Sequence, residues 1–309
     1  MTAAGPPLTL TDGIAEVVVR PDLGGGLAAY DLLVSGTRRR LFRRAPAATA
    51  DPFALACNPL LPWSNRISSG GFRFAGRLHP LAANWPGEVC PLHGNGFLSP
   101  WQLADHAADA ATLRLHSDGP GPFRYSAELC YRLDQGALAM RLTVRHRGAG
   151  RLPYGLGFHP WLVRSAATTL RAPAQAVWLE DARHLPERCV PVAQRPEWDF
   201  TAPRRLPDGW INNGFVRWDG GAEIAWPDRG LALAIDTRAE AAVASALSAY
   251  IVYSPGSEAD FFCFEPVSHP VDAHNLAGQP GLFVLAPGDS ATVQARFIPA
   301  ARHRDVTIR

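Results

Sequence analysis

The chain has little from which to build a disulfide frame, a membrane span or a helix bundle. Its five cysteines, Cys57, Cys90, Cys130, Cys189 and Cys263, are odd in number, far apart and without a CxxC pair. That excludes a disulfide scaffold and predicts reduced, mostly buried thiols in a cytoplasmic protein. No uncharged apolar run approaches the roughly 18 residues of a membrane span. "MTAAGPPLTL" has neither the basic nor the apolar region of a signal peptide. A net charge of +2 over 309 residues predicts no nucleic-acid or membrane partner, and the local run "RRRLFRR" (38–44) reads as a solvated loop. GxSxG and P-loop patterns are absent, and "GGG" at 24–26 lacks GxGxxG spacing and a following helix, so no dinucleotide cofactor is expected. No Ser/Gly-rich or charged linker divides the chain, and residues 1–309 are expected to form a single domain.

What is present is punctuation and short strands. Glycine and proline supply 28 residues each. Between them lie runs with period-two or continuous apolar character, among them "IAEVVVR", "LAAYDLLV", "AYIVY", "FFCFE" and "ATVQARF". "YSAELCYRLDQGALAMRLTVRH" (125–146) predicts a hairpin about "DQG". Only "RAEAAVASALSAY" (238–250) has helix-favouring content. The fold expected is all-β, a large antiparallel β-sandwich.

Four stretches carry polar side chains that such strands rarely need. In "YGLGFHPWL" (154–162), alternation puts Gly155, Gly157 and His159 on one face, with the strand expected to stop at Pro160. In "ADFFCFEPVSHPVDAHN" (259–275), it puts Phe261, Cys263 and Glu265 on one face; a carboxylate there is either working or sits at an exposed exit before a turn at Pro266. "CNPLLPWSNRISSGGFRFAG" (57–76) offers Arg66, a rigid fork of donors suited to oxygens or to a salt bridge. "CPLHGNGF" (90–97) offers a loop histidine, His93. Glu265, His269, Asp272 and His274 are close in sequence, but two prolines and the lack of helical spacing argue against a metal site. Glu88 is a poor partner to Glu265 for glycosidase chemistry. Trp63, Trp85 and Trp161 could stack on a sugar or pack in the core.

Together, "NRI" followed by "GF", then "LHG", "GLGFHPW" and "CFEPVSHPVDAHN", resemble the aldose 1-epimerase family, the galactose mutarotases. "VVVRPDLGGGLAAY" and "LAPGDSATVQARF" resemble its first strands and closing hairpin, so the likeness spans about Leu8 to Phe297. The resemblance implies a galactose mutarotase-like supersandwich and cofactor-free interconversion of the α and β anomers of a free aldose. It implies Glu265 as general base, ionised at neutral pH, and His159 as general acid, partly protonated. Arg66 and His93, with Asn65, match positions that hold sugar oxygens, and Gly155 and Gly157 would leave room for the ring. The family's sugar-binding aspartate is replaced here by Asn212, or by Asn213 if the register slips by one, with Asp208 nearby as a substitute. A small-molecule aldose is the expected partner and the expected assembly a monomer or homodimer. The rival readings are a non-catalytic sugar-binding protein and a hexose-6-phosphate epimerase on the same fold.

Overall fold

The computed structural model describes residues 6–238 and 246–301. Period-two patterning becomes strand almost throughout: among the described residues the only helical elements are 3-10 turns of three residues. The hairpin about Gln135-Gly136 pairs Tyr125–Asp134 with Ala137–His146, Asp134 opposite Ala137. Both loop residues have positive φ, 49° and 81°, which matches a two-residue turn to the strands' twist. Residues 239–245 of the helix-favouring stretch lie outside the described residues, and its end, Ala249 and Tyr250, opens a strand.

Two large antiparallel sheets face each other. The 11-stranded sheet has edges at Leu8–Thr11 and Pro186–Pro191, and its centre is Cys57–Leu60, Gly157–Val163, Phe261–Val267, Ala249–Ser254 and Ile211–Val216, in that spatial order. The nine-stranded sheet runs from Arg204–Arg205 to Gln102–His106, with Ser290–Ala301 beside Ala137–His146 at its middle. The facing sides bury a continuous apolar cluster in which Phe262 and Phe264 of the first sheet join Leu142, Val293 and Phe297 of the second, all fully buried. Each such side chain contributes about 1.5–3 kcal/mol. Tyr30 donates its hydroxyl to Gly136 O and Tyr131 to Gly25 O, so these large rings enter the core with their polar tips satisfied.

Neither proline ends its strand. The histidine strand runs Gly157–Val163 through Pro160, and the glutamate strand runs Phe261–Val267 through Pro266. The two strands pair at Gly157↔Val267 and at Trp161↔Cys263, a register that leaves His159 opposite Glu265. Pro160 and Pro266 flank that position and carry no N–H, so the rungs they would complete are missing. Pro160 keeps its place because the other edge of the strand is paired, at Phe158↔Pro59, His159↔Asn58 and Pro160↔Cys57.

Candidate active site

With Phe262 and Phe264 committed to the core, Glu265 must emerge on the other side of the sheet. His159 emerges beside it, and His159 Nε2 lies 3.4 Å from Glu265 Oε1, with the side chains only 7% and 3% exposed. The pair is therefore in contact, much closer than groups on opposite sides of a sugar would be. Glu265 is neither at an exposed exit nor paired with a cation. Its Oε2 and the His159 Nδ1 are buried without a protein hydrogen-bond partner, a cost that folded cores rarely carry outside functional sites.

The next wall comes from two loops that hold each other. Asn65 N–H donates to His93 Nδ1 at 3.0 Å, and His93 N–H donates to Asn65 O at 2.9 Å. Both residues have left-handed backbones, φ 57° and 55°, a conformation that costs energy for non-glycine residues and is held here by the reciprocal bonds. Gly94 lets the loop close: a Cβ there would lie 2.1 Å from Leu61 O. Because His93 Nδ1 accepts, its proton sits on Nε2, and His93 is a buried neutral donor rather than a solvated loop histidine. Arg66 forms a two-pronged pair with Glu88, at 3.0 and 2.7 Å. The salt-bridge reading of Arg66 holds, and the side chain also lines the cavity.

Burial acts against charge on both members of the central pair. It pushes the Glu265 carboxyl up to about 8, with Arg66 opposing. It pulls the His159 imidazole down to about 3, helped by the Arg43 cation. Burial thus works against the expected ionised carboxylate beside a partly protonated imidazole and favours the proton on the carboxyl. His93 is also held well below the ordinary imidazole range, first by burial and then by His159 and Arg66.

Trp161 lies against the pair. It stacks on His159 at 5.2 Å with planes 7° apart, and the Arg43 guanidinium sits 3.9 Å over the indole. Arg43 in turn donates to Phe53 O. The run 38–44 is accordingly no solvated loop. Thr37–Arg40 is a strand, Arg38 pairs with Glu16, and Arg44 with Asp31. Trp85 lines the same cavity as Trp161, whereas Trp63 is fully buried in the core.

On the far wall the two asparagines face opposite ways. Asn212 lines the cavity, and Asn213 points the other way, donating to Trp178 O. Asp208 is not at the site; it lines a separate hollow with Arg164 and Arg204. Asn212 Nδ2 instead donates to Glu180 Oε2 at 2.8 Å, and Glu180 also accepts from Trp210 Nε1 and His184 Nδ1, each at 2.9 Å. The sequence carries signals for this group that the motifs leave aside: Trp210 directly precedes "INN", and Glu180 closes the apolar strand Ala176–Glu180.

Glu265, His159, Arg66, His93, Asn65 and Asn212 thus share one cavity of about 280 Å³. The acidic and imidazole side chains that follow Glu265 do not join it. His269 is sandwiched between Ser64 N–H, which donates to its Nε2, and Pro270 O, which accepts from its Nδ1. Asp272 caps Ser68, and His274 bonds Pro153 O. No group of three or more His, Cys, Asp or Glu among the described residues is arranged to hold a metal.

The glycines before His159 serve the scaffold, not the cavity. A Cβ on Gly155 would meet His269 Nε2 at 2.0 Å, and one on Gly157 would meet Pro266 O and Val267 at 2.7 Å. Since His269 is tied at both nitrogens it cannot swing away. Gly155→Ala is expected to cost about 3 kcal/mol, read as a fall of several degrees in Tm.

Comparison with known proteins bears on the family and the fold. The family model described as aldose 1-epimerase matches residues 6–297. The Escherichia coli K12 protein YphB, itself uncharacterized, is 36% identical over 238 residues, covering 77% of this chain and 81% of its own. A crystal structure from Escherichia coli K12, provisionally assigned as an aldose 1-epimerase, superposes with a TM-score of 0.86 at 30% identity over 96% of this chain and 99% of that one. The galactose 1-epimerase of Lactobacillus acidophilus has a TM-score of 0.74 at 17% identity, over 96% and 95% of the two chains, and shows the same fold. With the family match running from the residues before the first strand into the last one, and 96% of the chain covered by the Escherichia coli structure, the chain belongs to the aldose 1-epimerase family.

Proposed function

We propose that the protein is a mutarotase, catalysing exchange of α and β anomers of a free aldose. The observation that carries this reading is the buried His159–Glu265 contact, two proton-transfer groups 3.4 Å apart in one cavity. The two oxygens that exchange a proton in ring opening, O1 and O5, share a single carbon. A base and an acid held side by side can therefore reach both oxygens of that carbon.

The pair holds one proton at neutral pH. Hydroxyl donors of an arriving sugar stabilise the carboxylate, so the proton crosses to the imidazole. Glu265 then takes the O1 proton as the C1–O5 bond breaks, and His159 gives its proton to O5. Rotation about C1–C2 presents the other carbonyl face. Closure runs the same transfers backwards, with O5 attacking C1, its proton returning to His159 and the Glu265 proton returning to O1. The His93 Nε2–H and the Arg66 N–H groups turned away from Glu88 supply donors for oxygen charge as it develops. All 30 cationic side chains are arginine, so the open-chain aldehyde meets no lysine amine with which to condense.

The test is polarimetry on freshly dissolved α-D-glucose, α-D-galactose and L-arabinose, with exchange of the C1 resonances by NMR. Acceleration proportional to enzyme is expected for at least one. Tight sugar binding with an unchanged anomerisation rate would instead identify a binding protein.

A further inference from the structure

Glu180 has no place in the acid–base chemistry, yet three donors converge on it. A carboxylate can only accept hydrogen bonds, and this one takes the Trp210 indole N–H on Oε1 and the Asn212 amide and His184 ring on Oε2. The Asn212 amide therefore has no choice of face: its nitrogen must turn to Glu180, and its oxygen turns away. Asn212 lines the cavity. The side chain that stands where the family's aspartate is expected thus still presents an acceptor, but without charge.

Register tells which end of a sugar meets it. Asn212 pairs with Tyr253, and Tyr253 with Cys263, two residues before Glu265. Two strand spacings and two residues separate positions 212 and 265, roughly 12 Å between backbones. With C1 at the His159–Glu265 pair, the amide oxygen faces ring hydroxyls remote from C1. The charge around that end is unwelcoming to anions. Glu180 stands behind Asn212, the nearby Arg183 is matched by Asp181, and the Arg66 guanidinium that lines the cavity is matched by Glu88.

We infer that Glu180 is a positioning residue that locks the Asn212 amide with its oxygen toward the cavity, and that the Glu180–Asn212 dyad selects neutral aldoses over their 6-phosphates and uronates. This inference rests on the mutarotase reading for which atom sits at the His159–Glu265 pair.

The experiment measures both anomer exchange by NMR and sugar affinity by calorimetry, using D-galactose, D-glucose, glucose 6-phosphate and galacturonate as probes. The proteins are wild type, Glu180→Ala, Asn212→Ala, their double variant, Asn212→Asp and the swapped pair Asn212→Asp/Glu180→Gln. Glu180→Ala and Asn212→Ala should each raise KM about tenfold and lower kcat far less, and their combination should cost no more than either alone. Asn212→Asp sets two carboxylates in contact and should weaken binding more as pH rises. The swapped pair, in which the amide introduced at position 180 donates to the carboxylate introduced at position 212, should recover most of the loss. The neutral sugars should bind at least tenfold better than the charged ones.

A Glu180→Ala protein with unchanged KM and affinity would overturn the inference, as would failure of the swap to rescue Asn212→Asp or equal binding of glucose 6-phosphate. Sugar affinity that depends on the dyad with no anomerisation in wild type would remove the catalytic reading and leave the selectivity standing. A wild-type protein that neither binds nor turns over a neutral sugar of the panel overturns both.

Discussion

Glu265→Gln is expected to lose about 10²–10⁴-fold in kcat and, above neutral pH, to be more stable than the wild type. The first effect follows because glutamine keeps the shape and a hydrogen-bonding oxygen but cannot take the O1 proton. The second follows from the burial that makes the site work. An unfolded carboxyl titrates near 4.5, and burial holds that of Glu265 up to about 8. Between those values the native state binds the proton that the unfolded state releases, so wild-type stability falls as pH rises. At pH 7 the deficit is about 3 kcal/mol, and the amide does not incur it. Melting curves of both proteins from pH 5 to 8.5 should converge at the acid end and separate by several degrees at the alkaline end. A variant with near-normal kcat would remove Glu265 from the chemistry. Parallel melting profiles would mean that its carboxyl is ionised in the native state.

The sequence shows local pattern more readily than it shows contacts made across long distances. Alternation in "FFCFE" reveals that Glu265 opposes Phe262 and Phe264, and the hairpin about Gln135-Gly136 is written in two adjacent residues. The motifs that resemble the family bring Arg66, His93, His159 and Glu265 to notice, and the fold gathers them into one cavity. What alternation cannot show is the partner on the next strand. Pro160 and Pro266 look like strand ends because a lone strand with a missing N–H reads as broken. Only the register shows that both gaps fall beside the same pair, in strands about a hundred residues apart. The glycines before His159 mislead for the same reason, since the atom that forbids a side chain at Gly155 belongs to His269. Charge states are still less legible. His159 and Glu265 each have an ordinary intrinsic preference, and it is burial on all sides that reverses both. Glu180 is missed because its importance is borrowed from three donors, on Trp210, Asn212 and His184, whose convergence is purely tertiary.

Acidification is expected to unfold the protein well before its carboxylates are all protonated. His159, His269 and His274 are buried, and burial draws their imidazoles down to about 3, 4 and 3; His93 is displaced the same way. For His269 the reason is visible atom by atom. Its Nε2 accepts from Ser64 N–H, so a proton there would set donor against donor. In the unfolded chain these rings take up protons near 6.5, while the native state refuses them. Stability that is complete above that value is therefore lost as pH falls toward the native values. Each ring contributes about 1.4 kcal/mol per pH unit within its window. Glu265 opposes one of them down to about 4.5 and none below. Counting only His159, His269 and His274 against Glu265, the net loss from pH 6.5 to 4.5 is roughly 5 kcal/mol, comparable with the whole stability of many domains. Urea titrations at half-unit steps should show the unfolding free energy falling steeply over that range. His274 packs against Phe72 and Phe123, so His274→Phe keeps an aromatic ring among aromatic neighbours and removes one titrating ring. It should lower stability at pH 7, because Pro153 O loses its donor, and should also flatten the acid slope by about 1.4 kcal/mol per pH unit. A wild-type profile that is level between pH 7 and 4.5 would show that these imidazoles carry protons in the folded state, and a His274→Phe slope equal to wild type would exclude that ring as a contributor.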